Sequence, residues 1–254
     1  MTTAPAAAIE LIAADQRHHW RNEWLESWQS FPATGNFDLA ANAHGVLLVH
    51  NDDHIDAGEG LDSHQHQDSE IITWVVDGAL RHRDSQGNEG VLRPGVAQRM
   101  SAGRGIRHSE GNASSRIDGG PLRVIQMWIA PERSGLEPDY AERDFTDDLA
   151  TGELVVVASG RARDANSPAL SLGNSHAALH VARLRDGRPV QLPPAPYGHL
   201  FVVRGEVHVE GAGSRPLRPG DVLRLKDSGP FTVRGEDAAE ILFWEMHASL
   251  VRGI

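Results

Sequence analysis

The stretch Leu61-Asp-Ser-His64-Gln-His66-Gln-Asp-Ser-Glu70-Ile-Ile-Thr-Trp74-Val-Val-Asp77-Gly78-Ala-Leu-Arg-His82-Arg83 carries two signals at once. Its second half reads as a strong strand from Glu70 to Val76. The Asp77-Gly78 pair closes that strand in a hairpin turn, and Ala79-Leu-Arg-His-Arg83 returns from it. Its first half places His64 and His66 two residues apart. In an extended chain such side chains point to one face. The segment Ile106-Arg-His108-Ser-Glu110-Gly-Asn112 offers a second pair at the same spacing. Imidazoles leaning inward from such positions can share one ion at about 2.0–2.2 Å. Two pairs on neighbouring strands give three imidazoles and one carboxylate.

The same grammar extends outward. Gly45-Val-Leu-Leu-Val, Gly90-Val-Leu-Arg-Pro-Gly95, Ala97-Gln-Arg-Met100 and Leu122-Arg-Val-Ile-Gln-Met-Trp-Ile129 read as short strands between Gly, Pro and Asp turns. Such spacing predicts an antiparallel sandwich or barrel. A polar, proline-punctuated run follows at 131–150, and β-rich sequence resumes at Leu154. There Phe201-Val-Val-Arg-Gly205-Glu-Val echoes Trp74-Val-Val-Asp-Gly78-Ala-Leu, and Leu217-Arg-Pro-Gly220-Asp-Val echoes Leu92-Arg-Pro-Gly95-Val. Two features repeated at similar spacing predict a duplicated unit. The expected layout is an N-terminal metal-binding domain over 1–135, a connection over 136–150 and a second domain over 151–254. Aligning the glycines puts Gln191 and Pro193 where His64 and His66 stand, so the second copy is expected to lack metal ligands. Near the N-terminus, Trp20, Trp24 and Trp28 recur every four residues. That spacing suits one face of a short helix or a rim of aromatics around a pocket, with core-anchoring aromatics as the plainer reading.

Composition narrows the function classes. The 254 residues hold 35 acidic against 24 basic side chains, a net charge of −11, which disfavours a general nucleic-acid surface. There is no cysteine, so disulfides and thiolate sites are excluded. No apolar run approaches the length that spans a bilayer. The first ten residues lack a basic region and do not read as a signal peptide, so a cytoplasmic protein is the expectation. Histidine is frequent, and seven of the 14 lie between His44 and His108.

The spacing Gly58-x5-His64-x-His66-x3-Glu70-x7-Gly78 resembles the first cupin motif, and Pro94-Gly95 through His108-x3-Asn112 the second. More closely, Asn51-Asp-Asp53, His82-Arg-Asp84-Ser-x-Gly87-Asn88, Met100-Ser-Ala-Gly-x-Gly-Ile106, His108-Ser-Glu110 and Gln126-x-Trp128-Ile-x-Pro131 resemble the pirin family. Gln65 departs from that pattern, which usually has proline there, as does Gln67, where a basic residue is common. The resemblance implies an all-β bicupin, two tandem double-stranded β-helix (jelly-roll) barrels. It implies His64, His66, His108 and Glu110 as metal ligands, and Glu70 in a structural role. It implies one divalent ion in the N-terminal domain, Fe(II) by preference, with Mn, Ni, Cu and Zn compatible with the same donors. Metal binding is expected to weaken as pH falls through the histidine range.

The activity implied is a dioxygenase that opens a flavonol such as quercetin with O2 and releases CO. Glu110 would take the proton of the enolic 3-hydroxyl, and Trp74 and Met127 would line the pocket or fill the barrel core. The alternative is a metal-dependent, redox-responsive regulatory protein acting through protein partners. A third reading is an isomerase or another oxygenase on the same scaffold.

Overall fold

Gly78 and Gly205 stand at equivalent corners in two halves of the molecule, with φ of +80° and +68°, and the hairpin expected at Asp77-Gly78 does not form, because residues 70–77 and 80–84 pair in different sheets. A side chain at Gly78 would meet the Pro121 carbonyl oxygen at 2.8 Å, and one at Gly205 the Ala239 backbone at 2.8 Å. Glycine is therefore required twice, for conformation and for space. The computed structural model describes residues 8–35, 38–117, 119–185, 187–236 and 238–250. The reading of the first seven residues lies outside them.

Among the described residues the chain forms twenty-one strands. The first twelve are β1 (Ala8–Ile12), β2 (His18–Arg21), β3 (Leu25–Gln29), β4 (Leu47–Ile55), β5 (Gly60–His66), β6 (Glu70–Asp77), β7 (Leu80–Asp84), β8 (Glu89–Leu92), β9 (Val96–Ser101), β10 (Ile106–Asn112), β11 (Leu122–Ile129) and β12 (Asp139–Asp144). After one helical turn, α1 (Thr146–Leu149), come β13 (Val155–Ser159), β14 (Leu170–Ser171), β15 (Ala177–Arg183), β16 (Val190–Leu192), β17 (Ala195–Arg204), β18 (Val207–Val209), β19 (Val222–Ser228), β20 (Phe231–Gly235) and β21 (Glu240–Met246).

These strands form two barrels, each a seven-stranded sheet faced by a smaller one. The large sheets run β12-β9-β6-β11-β4-β3-β2 and β1-β19-β17-β21-β15-β13-β14. The small sheets are β5-β10-β7-β8 and β16-β20-β18. The two large sheets correspond strand for strand, β6 to β17 and β11 to β21, as the duplicated sequence predicts.

Two boundaries differ from the sequence reading. The N-terminal strand β1 edges the second barrel, with Ile9 opposite Leu225. The expected connection is not merely a linker, because its β12 edges the first barrel, with Tyr140 opposite Met100. Each barrel is thus completed by the segment that precedes the other in the chain. The Pro-Gly turns receive these edges: Gly95 packs on Thr146, and Gly220 on Ala14. The tryptophan run is a hairpin of β2 and β3 rather than a helix. Asn22 closes it by accepting the backbone N–H groups of Trp24 and Leu25.

The large sheets pack against each other. Ile72, Trp74, Val76, Ile125, Met127 and Ile129 of the first meet Leu179, Val181, Phe201, Val203, Leu242 and Trp244 of the second. The interior of the second barrel is filled with apolar side chains, among them Leu192, Leu200, Leu223, Phe231 and Phe243. The first barrel is apolar only at its ends. Val75, Leu80, Leu92 and Val124 close one end, and Ile71, Met100 and Ile106 close the other. Polar side chains occupy the space between.

Candidate metal centre

The hydrophobic code of β6 explains where those polar side chains go. Ile72, Trp74 and Val76 face the second barrel, so Ile71, Thr73 and Val75 face the interior of the first. The same parity puts Val124, Gln126 and Trp128 of β11 inside.

Across that interior, β5 and β10 pair antiparallel with His64 opposite His108 and His66 opposite Ile106. The three imidazoles therefore converge. Ring centroids are 4.4 Å apart for His64 and His108, 4.8 Å for His64 and His66, and 4.9 Å for His66 and His108. One donor nitrogen from each lies within 4.8 Å of the others. His64 Nδ1 contacts the Asp62 carbonyl at 2.8 Å, which leaves Nε2 as its donor. His108 is buried, and neither of its ring nitrogens has a hydrogen-bond partner among the described residues. A buried polar atom without a partner is costly, and a coordinated cation would satisfy one of these two.

Burial lowers the pKa of His66 to about 4, helped by His108 and His64. Burial lowers His108 to about 4 as well, against the opposing charge of Glu110. Both rings are therefore neutral at neutral pH, with nitrogen lone pairs free to coordinate.

A bulge in the β5–β10 pairing after His108 re-aims Glu110. The structure sets it beside His108, with Oε1 3.9 Å from Nδ1. It turns the carboxylate toward three other partners. Gln98 Nε2 donates to Oε1 at 2.6 Å, Gln126 Nε2 donates to Oε2 at 2.6 Å, and His82 Nδ1 lies 3.3 Å from Oε1. His82, His108 and Glu110 form a second donor group within 4.8 Å, so His108 belongs to both groups. Burial alone would raise the Glu110 pKa. The hydrogen bond from His82 and the charges of His108 and His82 instead pull it down to about 2. Glu70 is engaged elsewhere, accepting from Ser101 Oγ at 2.9 Å and from the Gly173 backbone N–H at 3.0 Å.

Beside the histidines lies a cavity of about 380 Å³, walled by Trp20, Leu25, Val49, Asn51, Asp53 and Trp128, among others. Its size suits a small aromatic ligand. Trp128 meets His66 edge-on at 4.7 Å and donates from Nε1 to Gln126 Oε1 at 3.2 Å, joining the cavity wall to Glu110. The pocket role expected for Trp74 and Met127 is corrected. Both are fully buried on the opposite face, where Trp74 Nε1 donates to Glu240 and Met127 Sδ receives Trp244 Nε1. Hydrophobicity could not separate the two faces of a sheet buried on both sides. Gln98, Gln126, His82, Asn51 and Asp53 were missed as site residues. For Gln126 the signal was a polar side chain at the inward parity of a largely apolar strand; the strands of His82, Asn51 and Asp53 are polar on both faces and gave none.

The family profile named Pirin matches residues 12–129. A Mycobacterium tuberculosis protein that bears a provisional quercetin 2,3-dioxygenase name is 45% identical over 245 residues, covering 96% of this chain and 97% of its own. The Escherichia coli quercetin 2,3-dioxygenase is 34% identical, covering 94% of this chain and 98% of its own. The structure of the bacterial pirin YhhW from Escherichia coli in complex with nickel(II) superposes with a TM-score of 0.83 at 31% identity, covering 95% of this chain and all of that one. Among the described residues, no helix is long and apolar enough to cross a membrane.

Proposed function

This chain belongs to the pirin family, and from that premise we propose that it is a metal-dependent dioxygenase of enolic aromatic compounds. The substrate class is flavonols such as quercetin, opened by O2 with release of CO. His64, His66, His108 and Glu110 would hold one divalent ion, Fe(II) or another metal suited to imidazole and carboxylate. The observation that carries this reading is His108. Both of its buried nitrogens lack partners among the described residues, two further imidazoles stand beside it, and an aromatic-walled cavity adjoins His64 and His66.

When bound, the ion supplies Lewis acidity, which lowers the pKa of an enolic hydroxyl. The chain does the rest. Trp20, Leu25, Val49 and Trp128 give the cavity apolar walls that suit a planar aromatic ring and displace water from it. Gln98, Gln126 and His82 keep Glu110 ionised and fix its direction. Glu110 is the group assigned to receive the enolic proton. Its three donors lower its basicity, so it suits an acidic hydroxyl such as an enol and not an ordinary alcohol.

The test is oxygen uptake with quercetin by metal-loaded protein, with His108→Ala as control. Uptake by wild type that is abolished in the variant supports the reading, and equal rates refute it.

A further inference from the structure

The cavity beside the histidines has a second chemical character on its large-sheet wall. Asn51 and Asp53 are two apart on β4, so both turn inward with Val49. In each, the side-chain oxygen Oδ1 is buried with no hydrogen-bond partner among the described residues. A buried acceptor left open costs stability unless a ligand or water fills it. Asp53 is also an unusual choice there. Its neighbour Asp52 points the other way and is committed to Arg123, which donates from Nε and Nη2 at 2.9 and 2.8 Å. Among the described residues no cation pairs with Asp53 in the same way. Within the same wall, Gln29 holds the loop that supplies Ala33 and Thr34, accepting their backbone N–H groups at 2.8 and 3.2 Å. The loop edge of the cavity that faces these acceptors is therefore held in place.

We propose that Asn51 and Asp53 are specificity-determining residues that accept hydrogen bonds from ring hydroxyl groups of the aromatic ligand. The site thus selects polyhydroxylated rings over bare ones. The assignment rests on the reading that this cavity is the substrate pocket. A neutral aromatic wall alone would hold either kind of ring, whereas two open acceptors reward only a ligand that brings O–H donors. The state of Asp53 fits this use. Burial raises its pKa to about 7, with the charge of Asp52 adding to the effect and a hydrogen bond from Ser27 opposing it. An acceptor that is costly to keep charged gains most from a donor delivered by ligand.

The test compares quercetin with 3-hydroxyflavone, which keeps the enolic group and lacks the ring hydroxyls. Binding is read anaerobically on metal-loaded protein by quenching of tryptophan fluorescence, Trp20 and Trp128 being in the wall. Asp53→Ala and Asn51→Ala are measured beside wild type, with circular dichroism to confirm that each variant is folded. Wild type should prefer quercetin. Each variant should lose about tenfold in affinity for quercetin and less than about twofold for 3-hydroxyflavone, the scale of one hydrogen bond lost at a buried acceptor. Equal losses for both ligands, or none for either, overturn the assignment. Binding with no oxygen uptake by the metal-loaded protein once air is admitted refutes the dioxygenase reading and leaves this one standing. Failure of wild type to bind either compound overturns the ligand class, and this assignment with it.

Discussion

His82 Nδ1 lies 3.3 Å from Glu110 Oε1, while its Nε2 lies 3.4 Å from Asp84 Oδ2. A fully buried imidazole thus stands between two carboxylates. Asp84 is itself fixed by the backbone N–H groups of Gln86 and Asn88. Burial opposes a charge on His82, but hydrogen bonds to Glu110 and Asp84 outweigh it and raise the pKa. His82 is a positioning residue that acts through Glu110. His82→Gln should lower metal affinity by about 10- to 100-fold, the usual effect of losing a partner behind a ligand. Chelator-competition titration reads this, and unchanged affinity would show that Gln98 and Gln126 suffice to hold the carboxylate.

Glu110 and Glu70 make contrasting predictions. Glu110 is beside His108, whereas Glu70 ties Ser101 to the Gly173 backbone across the two barrels. Glu110→Gln should lose metal and also some stability, because its buried carboxylate accepts from Gln98 and Gln126. Glu70→Gln should keep metal and lose about 1 kcal/mol, since the amide retains one acceptor of the two. Metal titration and urea melts of both variants check the pair. Metal loss in Glu70→Gln alone would reverse the ligand assignment.

The all-β class and the duplication were legible because turns and strand cores recur in sequence, at Gly78 and Gly205 and again at Gly95 and Gly220. The histidine cluster was legible because a period of two puts His64 and His66 on one face. The edge exchange was not. Ile9 pairs with Leu225, and nothing local in either segment specifies a partner so far along the chain. The tryptophan spacing misled because a period of four is also met by two short strands and a tight turn. The inner face of β6 and β11 was readable only through Thr73 and Gln126, since every neighbour in those strands favours burial on either side.

That parity is itself testable through two tryptophans. Trp74 donates to Glu240 between the barrels, and Trp128 sits in the cavity wall. Trp74→Phe should cost about 1–3 kcal/mol of stability, from a lost buried hydrogen bond and lost volume, and leave KM unchanged. Trp128→Phe should raise KM by about 2- to 10-fold, the scale of an aromatic contact. Equal effects on KM would contradict the assignment of faces.

Part of the acid sensitivity should arise in the second barrel. Glu245 is fully buried and accepts hydrogen bonds from His180 Nε2 at 3.0 Å, His247 Nε2 at 2.8 Å and Arg163 Nη2. Burial alone would raise its pKa, but hydrogen bonds from His180, Arg163 and His247 lower it from 4.5 to about 2. A carboxyl depressed on folding binds fewer protons in the native state than in the unfolded one. Its stabilisation is therefore complete above the unfolded value and is lost as pH falls from about 4.5 toward 2. Glu245→Gln should cost about 2–3 kcal/mol near neutral pH, below the range for a fully buried pair because Arg163 is half exposed. The variant should also lose stability less steeply than wild type between pH 5 and 3, which urea melts across that range would measure. Parallel declines would mean that Glu245 is not a source of the acid response.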